Sequence, residues 1–168
     1  MNIRVDGPLT TQGTVCSQIL KELPDWFGIP SAVEEYVRDA ESLPSFVVCV
    51  GGKAAGILTF KSHFEQAAEI VVIGVLPGYH RRGIGRALVS TLELHLLNHG
   101  VEYLQVKVLD ESAESEAYER TRRFYDAVGF APLEMWPTIW EPGNPCLQMV
   151  KFLKPVEDGE GYANRSLA

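Results

Sequence analysis

The chain has 168 residues, 46% of them hydrophobic, and a formal net charge of −7. That length and apolar content suit one packed domain and exclude a disordered polymer. The acidic balance argues against nucleic acid or an anionic membrane as the main partner, because both are bound by neutralising phosphates, whereas a cationic ligand such as an amine would be attracted. No apolar run approaches a membrane span, and Met1 to Gly7 lack a leader pattern, so a cytoplasmic protein is expected. The three cysteines, Cys16, Cys49 and Cys146, are widely separated with no Cys-x-x-Cys pair, which suggests neither a disulfide framework nor a metal site.

In chain order, residues 2–5 alternate polar and apolar as an edge strand does, and Gly7-Pro8 should end it. Val15, Ile19, Leu20 and Leu23 make an apolar helix stripe closed by Pro24. A second helix fits residues 31–41, with Ser31 as N-cap and Glu34 completing a capping box. Between them, Trp26 to Pro30 form an aromatic loop that would either wall an acceptor pocket or plug the core. Residues 46–50 and 54–60 flank Gly51-Gly52, which suits a tight hairpin turn at positive φ. A polar connection over residues 63–67 leads to a β-branched strand, residues 69–75. These strands and the first make an antiparallel meander.

Tyr79 to Leu88 then join that strand to a helix whose face is Ile84, Leu88, Leu92 and Leu96. Gly83 and Gly85 therefore sit at a helix N-terminus, where free backbone N–H groups and a partial positive charge can hold a diphosphate. Arg81, Arg82 and Arg86 add cations suited to phosphate oxygens. The spacing matches neither Gly-x-x-x-x-Gly-Lys-Ser/Thr nor Gly-x-Gly-x-x-Gly, since Leu88 stands where the latter needs its third glycine. Gly100 should cap the helix and residues 102–109 form a fifth strand. A helix over residues 115–128 stops at Gly129, and strands over 131–136 and 146–153 are separated by a Trp, Pro and Gly loop. The polar tail, residues 155–168, is expected to be loosely ordered beyond a domain of residues 1–154.

Two phrases, Arg81-Arg82-Gly83-Ile84-Gly85-Arg86 and Phe124-Tyr125-Asp126-Ala127-Val128-Gly129-Phe130, resemble the two diagnostic motifs of the GNAT superfamily of N-acetyltransferases, in that family's order. Over about residues 2–153 the resemblance implies an α/β (α+β) GNAT fold, a mixed, mostly antiparallel sheet of about seven strands with about four helices. It implies acetyl-CoA as donor, its diphosphate on residues 81–86 and its pantetheine arm along Ile73, Gly74 and Val75, with no metal. It makes Tyr125 the general acid for the departing thiolate and Glu69 the first choice of base; His63 and His80 are runners-up because an imidazole suits that task. His80 stands in the slot usually held by Gln or Arg, Tyr118 where an Asn is usual, and Lys107 where some branches place a Glu. The acceptor has no readable motif. Trp26, Phe27, Trp136 and Trp140 would line an aromatic pocket, and Glu34, Glu35, Glu134 or Glu141 would meet a cation. A small-molecule amine, a peptide or a protein amine all remain open, as do a homodimer and a module that binds acyl-CoA without transferring the acyl group.

Overall fold

The structure, a computed structural model, describes residues 3–153; the expected polar tail lies outside them. Seven strands form one sheet in the order β1-β2-β3-β4-β5-β7-β6, with four α-helices on its two faces. The strands are β1 (Val5–Leu9), β2 (Ser45–Val50), β3 (Lys53–Phe64), β4 (Ala67–Val75), β5 (Tyr103–Leu109), β6 (Ala131–Trp136) and β7 (Cys146–Phe152). The helices are α1 (Gly13–Lys21), α2 (Pro30–Ser42), α3 (Ile84–Asn98) and α4 (Glu116–Ala127). All neighbouring strands are antiparallel except β4 and β5, which run parallel because α3 forms the crossover between them.

Each face has its own core. On one, Ile84, Leu88, Leu92 and Leu96 of α3 are buried against Val48, Leu58, Ile70 and Leu104, as the four-residue spacing requires. On the other, Ile19 and Leu20 of α1 and Ala40 of α2 cover Val47, Ile57 and Val72. Gly51 and Gly52, at φ 58° and 78°, make the two-residue β2–β3 turn in the conformation that such a hairpin demands.

Three local expectations shift. The first strand runs through Gly7-Pro8 to Leu9 rather than ending there, because its register is set by pairing with Val48, Val47 and Ser45. Helix α2 begins one residue early: Pro30 takes its first turn after Ile29, which leaves Ser31 inside the helix with no capping role. Strand β3 reaches Phe64, so Lys61 and His63 belong to it rather than to a loop.

Candidate active site

Strands β4 and β5 pair only over Ala67–Ile70 with Tyr103–Val106. Beyond those rungs β4 stays on β3 as far as Val75, and β5 stays on β7 as far as Leu109, so the two strands part and a wedge opens between them. Along it the unpaired edges of residues 71–75 and 107–109 offer backbone donors and acceptors that an extended ligand could satisfy like an added strand. The irregularity in β4 falls between Ile70 and Val72, not at Gly74. Gly74 has another reason to lack a side chain: a Cβ there would lie 2.9 Å from Ile19 Cγ2 on α1.

At the wider end of the wedge the chain leaves β4 through a 3-10 turn, Pro77–Tyr79, and enters α3. Gly83 is the N-cap at φ 85°, with no side chain closing the helix end, so the first amides of α3 are left unoccupied by the protein. Arg81, Arg82, Gly83 and Arg86 are exposed. Arg82 lies 5.8 Å from the Tyr79 ring, while the Arg86 guanidinium donates to the Ala127 carbonyl at 3.2 Å. Gly85 faces Phe124, whose ring atoms stand 3.2 Å from where a Cβ would be, so this glycine admits α4 beside α3. His80 donates through Nε2 to the Val75 carbonyl at 2.7 Å, which ties it to the end of β4.

Glu69 sits at the apex, on the rung opposite Gln105. Rather than a solvated strand end, it is buried and surrounded by donors. Its Oε1 accepts from Lys107 Nζ at 2.9 Å; its Oε2 accepts from His63 Nε2 at 2.5 Å and Gln105 Nε2 at 3.4 Å, with Lys61 Nζ at 3.7 Å. Burial pushes the carboxyl up, but the hydrogen bonds from Lys107 and His63 and the charges of Lys107 and Lys61 outweigh it and hold the group below its usual value. The polar row continues across the sheet, since Gln148 donates to Gln105 and Trp136 Nε1 donates to Gln148 Oε1 at 3.1 Å.

Tyr125 approaches from α4. Its ring is enclosed by Phe124 and Phe130 and only 1% of the residue is exposed. Among the described residues its hydroxyl has no hydrogen-bond partner, and no side-chain polar atom there is both sealed and unpaired, so the remaining exposure falls on the hydroxyl. Burial, then the phenols of Tyr118 and Tyr36, push its ionisation well above the ordinary phenol value, which keeps the proton on. Tyr36 of α2 is likewise pushed up to about 12, by burial first and then by Tyr118, Glu35, Asp39 and Glu69. Tyr36 thus lies electrostatically between the phenols and Glu69.

Trp26 bridges the two sides of the mouth. Its Nε1 donates to the Ala117 carbonyl at 3.1 Å and to Thr121 Oγ1 at 3.0 Å, and its carbonyl accepts from the Tyr118 hydroxyl at 2.8 Å. Its ring meets His80 edge-on at 5.8 Å, and the Arg120 guanidinium stands 5.1 Å from it. The loop thus clasps α4 to the end of β4. Phe27 and Glu34 instead line a cavity of about 590 Å³ between α1 and α2, which none of Glu69, Tyr125 or residues 81–86 touches. Its chemistry is therefore separate from the wedge.

The fold brings Glu69, His63 and Lys107 together at the apex, and it sets Ile73 to Val75 and the 81–86 turn along the β4 side of the wedge. Sequence reasoning missed Tyr36, Lys61, Gln105 and Gln148. Tyr36 was visible only as a member of α2's inward stripe with Val33, Val37 and Ala40, and the other three gain meaning only from cross-strand register. No group of three or more His, Cys, Asp or Glu among the described residues could hold a metal ion, and no helix among them is long and apolar enough to cross a membrane.

The acetyltransferase (GNAT) family profile matches residues 16–130. Mycothiol acetyltransferase of Nocardiopsis dassonvillei is 26% identical over 133 residues, which cover 79% of this chain and 36% of that protein; the chain thus spans little more than a third of the relative's length. Among solved structures, the ribosomal-protein-S18-alanine N-acetyltransferase from Escherichia coli superposes with a TM-score of 0.71 at 20% identity, over 96% of this chain and 100% of the other. An aminoglycoside 6'-N-acetyltransferase complexed with coenzyme A gives 0.71 at 17% identity over 94% and 100%. Ard1 from Thermoplasma volcanium gives 0.70 at 17% over 92% and 98%. At these identities the structural likenesses establish a shared fold.

Proposed function

Because the chain belongs to the acetyltransferase (GNAT) family, we propose that it transfers an acetyl group from acetyl-CoA to a primary amine of a small molecule or peptide, by direct attack with donor and acceptor bound together in the cytoplasm. The carrying observation is the parting of β4 and β5 beside an uncapped helix N-terminus. A long thiol ester with a diphosphate needs both: free strand edges for its amide-bearing arm, and main-chain N–H groups for the anionic end. Ile73, Gly74 and Val75 would hold the arm. The amides of Gly83, Ile84, Gly85 and Arg86, with the side chains of Arg81 and Arg82, would hold the diphosphate.

Three things must happen at the thioester: the amine arrives neutral, the carbonyl is polarised, and the departing thiolate is protonated. Tyr125 suits the last, because its hydroxyl has no hydrogen-bond partner among the described residues and retains its proton at neutral pH. A free amine has a pKa near ~10 and must lose a proton, and the cluster anchored by Glu69 lies at the apex to receive it. The coenzyme A complex of the aminoglycoside 6'-N-acetyltransferase supports this choice of donor through the common fold.

A non-catalytic acyl-CoA-binding module is the second reading, favoured by Lys107, a base on β5 that ties up Glu69 in an ion pair. Thiol release on incubation with acetyl-CoA and an amine panel separates the two. Tyr125→Phe should lower kcat by about 10²-fold or more while coenzyme A still binds by calorimetry. An unchanged kcat would remove Tyr125 as the acid.

A further inference from the structure

Proton removal from the amine has two structural candidates in the cluster, and their surroundings differ. Glu69 is the poorer base. Its side chain is 8% exposed, and its two oxygens already accept from Lys107, His63 and Gln105. Protonating it would place a neutral acid between the ammonium groups of Lys107 and Lys61, and the contacts that favour the carboxylate oppose proton uptake near neutrality.

His63 differs on each point. Its side chain is 32% exposed, and it stands on β3 beyond Lys61 in the hairpin that leads into β4. An ionised carboxylate can only accept a hydrogen bond, so the Nε2 that faces Glu69 Oε2 carries a hydrogen and, in the neutral ring, the lone pair is on Nδ1. Among the described residues Nδ1 has no hydrogen-bond partner. A carboxylate that fixes an imidazole's tautomer and faces the charged form is the arrangement by which proteins orient a histidine base. Lys107 connects this pair to the wedge, because it is the first β5 residue beyond the last rung shared with β4. The charged and titratable groups around the pair are Lys61 on β3, Glu69 on β4, Lys107 on β5, Asp39 and Tyr36 on α2, and Cys146 on β7, the last three electrostatically coupled to Glu69.

We infer, resting on the transfer reaction proposed above, that His63 is the catalytic base, taking the amine's proton on Nδ1 directly or through one water, and that Glu69 is a positioning residue kept ionised by Lys107 and Lys61. The nitrogen lone pair forms the N–C bond to the thioester carbonyl carbon, and the C–S bond breaks with its electron pair on sulfur. The proton leaving nitrogen goes to His63, and the sulfur takes the Tyr125 proton. Both side chains then return to their starting states by exchange with solvent.

The test measures thiol release from acetyl-CoA with an amine panel, against pH, for the full chain and for His63→Gln, His63→Ala and Glu69→Gln, with circular dichroism to check folding. His63→Ala should lose about 10²-fold or more in kcat with coenzyme A binding unchanged by calorimetry, and added imidazole should restore turnover in a saturable way. His63→Gln, the variant closer in shape, should show the same loss without needing a cavity. Ring-nitrogen NMR of ¹⁵N-histidine protein should find the neutral His63 proton on Nε2, and Glu69→Gln should mix the tautomers while lowering kcat. Wild-type turnover and pH profile retained in both His63 variants would overturn this assignment alone. Absence of thiol release from the unmodified protein with every amine, while coenzyme A still binds, would overturn the transfer reaction and this inference with it.

Discussion

Glu69 shows how far a residue's neighbours govern its chemistry. From the chain alone it begins an apolar strand, which marks it as an ionisable group near a site but says nothing of Lys61, Lys107 or His63, each on a strand position that only the register discloses. Its carboxyl is lower in the folded state than in the unfolded chain, so its contribution to stability is complete above the unfolded value, near ~4.3, and is lost as pH falls through the folded one. The urea midpoint of the unmodified protein should therefore drop more steeply below pH ~4.3 than that of Glu69→Gln. At pH 7 the variant should be less stable by about 1–3 kcal/mol, because Lys107 and His63 lose a charged acceptor. Equal midpoints across that range would show that the ion pairs contribute nothing. Cysteines tell a similar story: burial pushes the Cys16 thiol up to about 12 and the Cys146 thiol up to about 11, while Cys49 is exposed. Iodoacetamide at neutral pH should modify the native protein at Cys49 alone, read by peptide mass mapping.

Elements were legible where a local rule decides them. The four-residue stripe of α3, the Gly51-Gly52 turn and the stop at Gly129, φ 94°, all depend on neighbours in sequence. Capping of α2 was misread because Pro30 fits the first helical position without any help from Ser31. Gly74 was legible only as part of the stretch expected along the cofactor arm; its packing partner was not, since the irregularity of β4 lies at Val71 and the missing side chain of Gly74 makes room for α1. Gly74→Val should force Ile19, Leu20 and Leu23 away from β4 and cost about 1–3 kcal/mol in a denaturant melt. A variant as stable as the parent would mean that α1 shifts freely. Trp26 was legible as an aromatic in a loop, with a pocket wall and a core plug both open. Its bonds to Ala117 and Thr121, 91 and 95 residues distant in sequence, make it a clasp between the wedge's two sides.

At the scale of the molecule, a net charge of −7 coexists with three arginines around one helix terminus. The overall balance speaks against polyanions, but a small anionic ligand experiences the local field of the exposed turn. Arg81→Ala with Arg82→Ala should weaken coenzyme A binding by about tenfold and flatten its dependence on salt, measured by calorimetry at several ionic strengths. Acetyl-CoA at 100 times its dissociation constant should stabilise the folded chain by about 2.7 kcal/mol, seen as a higher Tm. A Tm that ignores the ligand would argue against the wedge as its site.

From its residues alone, the chain determined the succession of elements, the glycine turn before α3, and the aromatic phrase that ends α4, because periodicity and glycine conformation are local matters. The tertiary structure decided that β4 and β5 part after four shared rungs, that Trp26 spans the gap, and that Glu69 is held as a carboxylate by its neighbours. The reason is reach: strand register, ion pairing and side-chain hydrogen bonds join positions far apart in the chain, 95 residues for Trp26 and Thr121, and no rule of nearest-neighbour spacing carries that information.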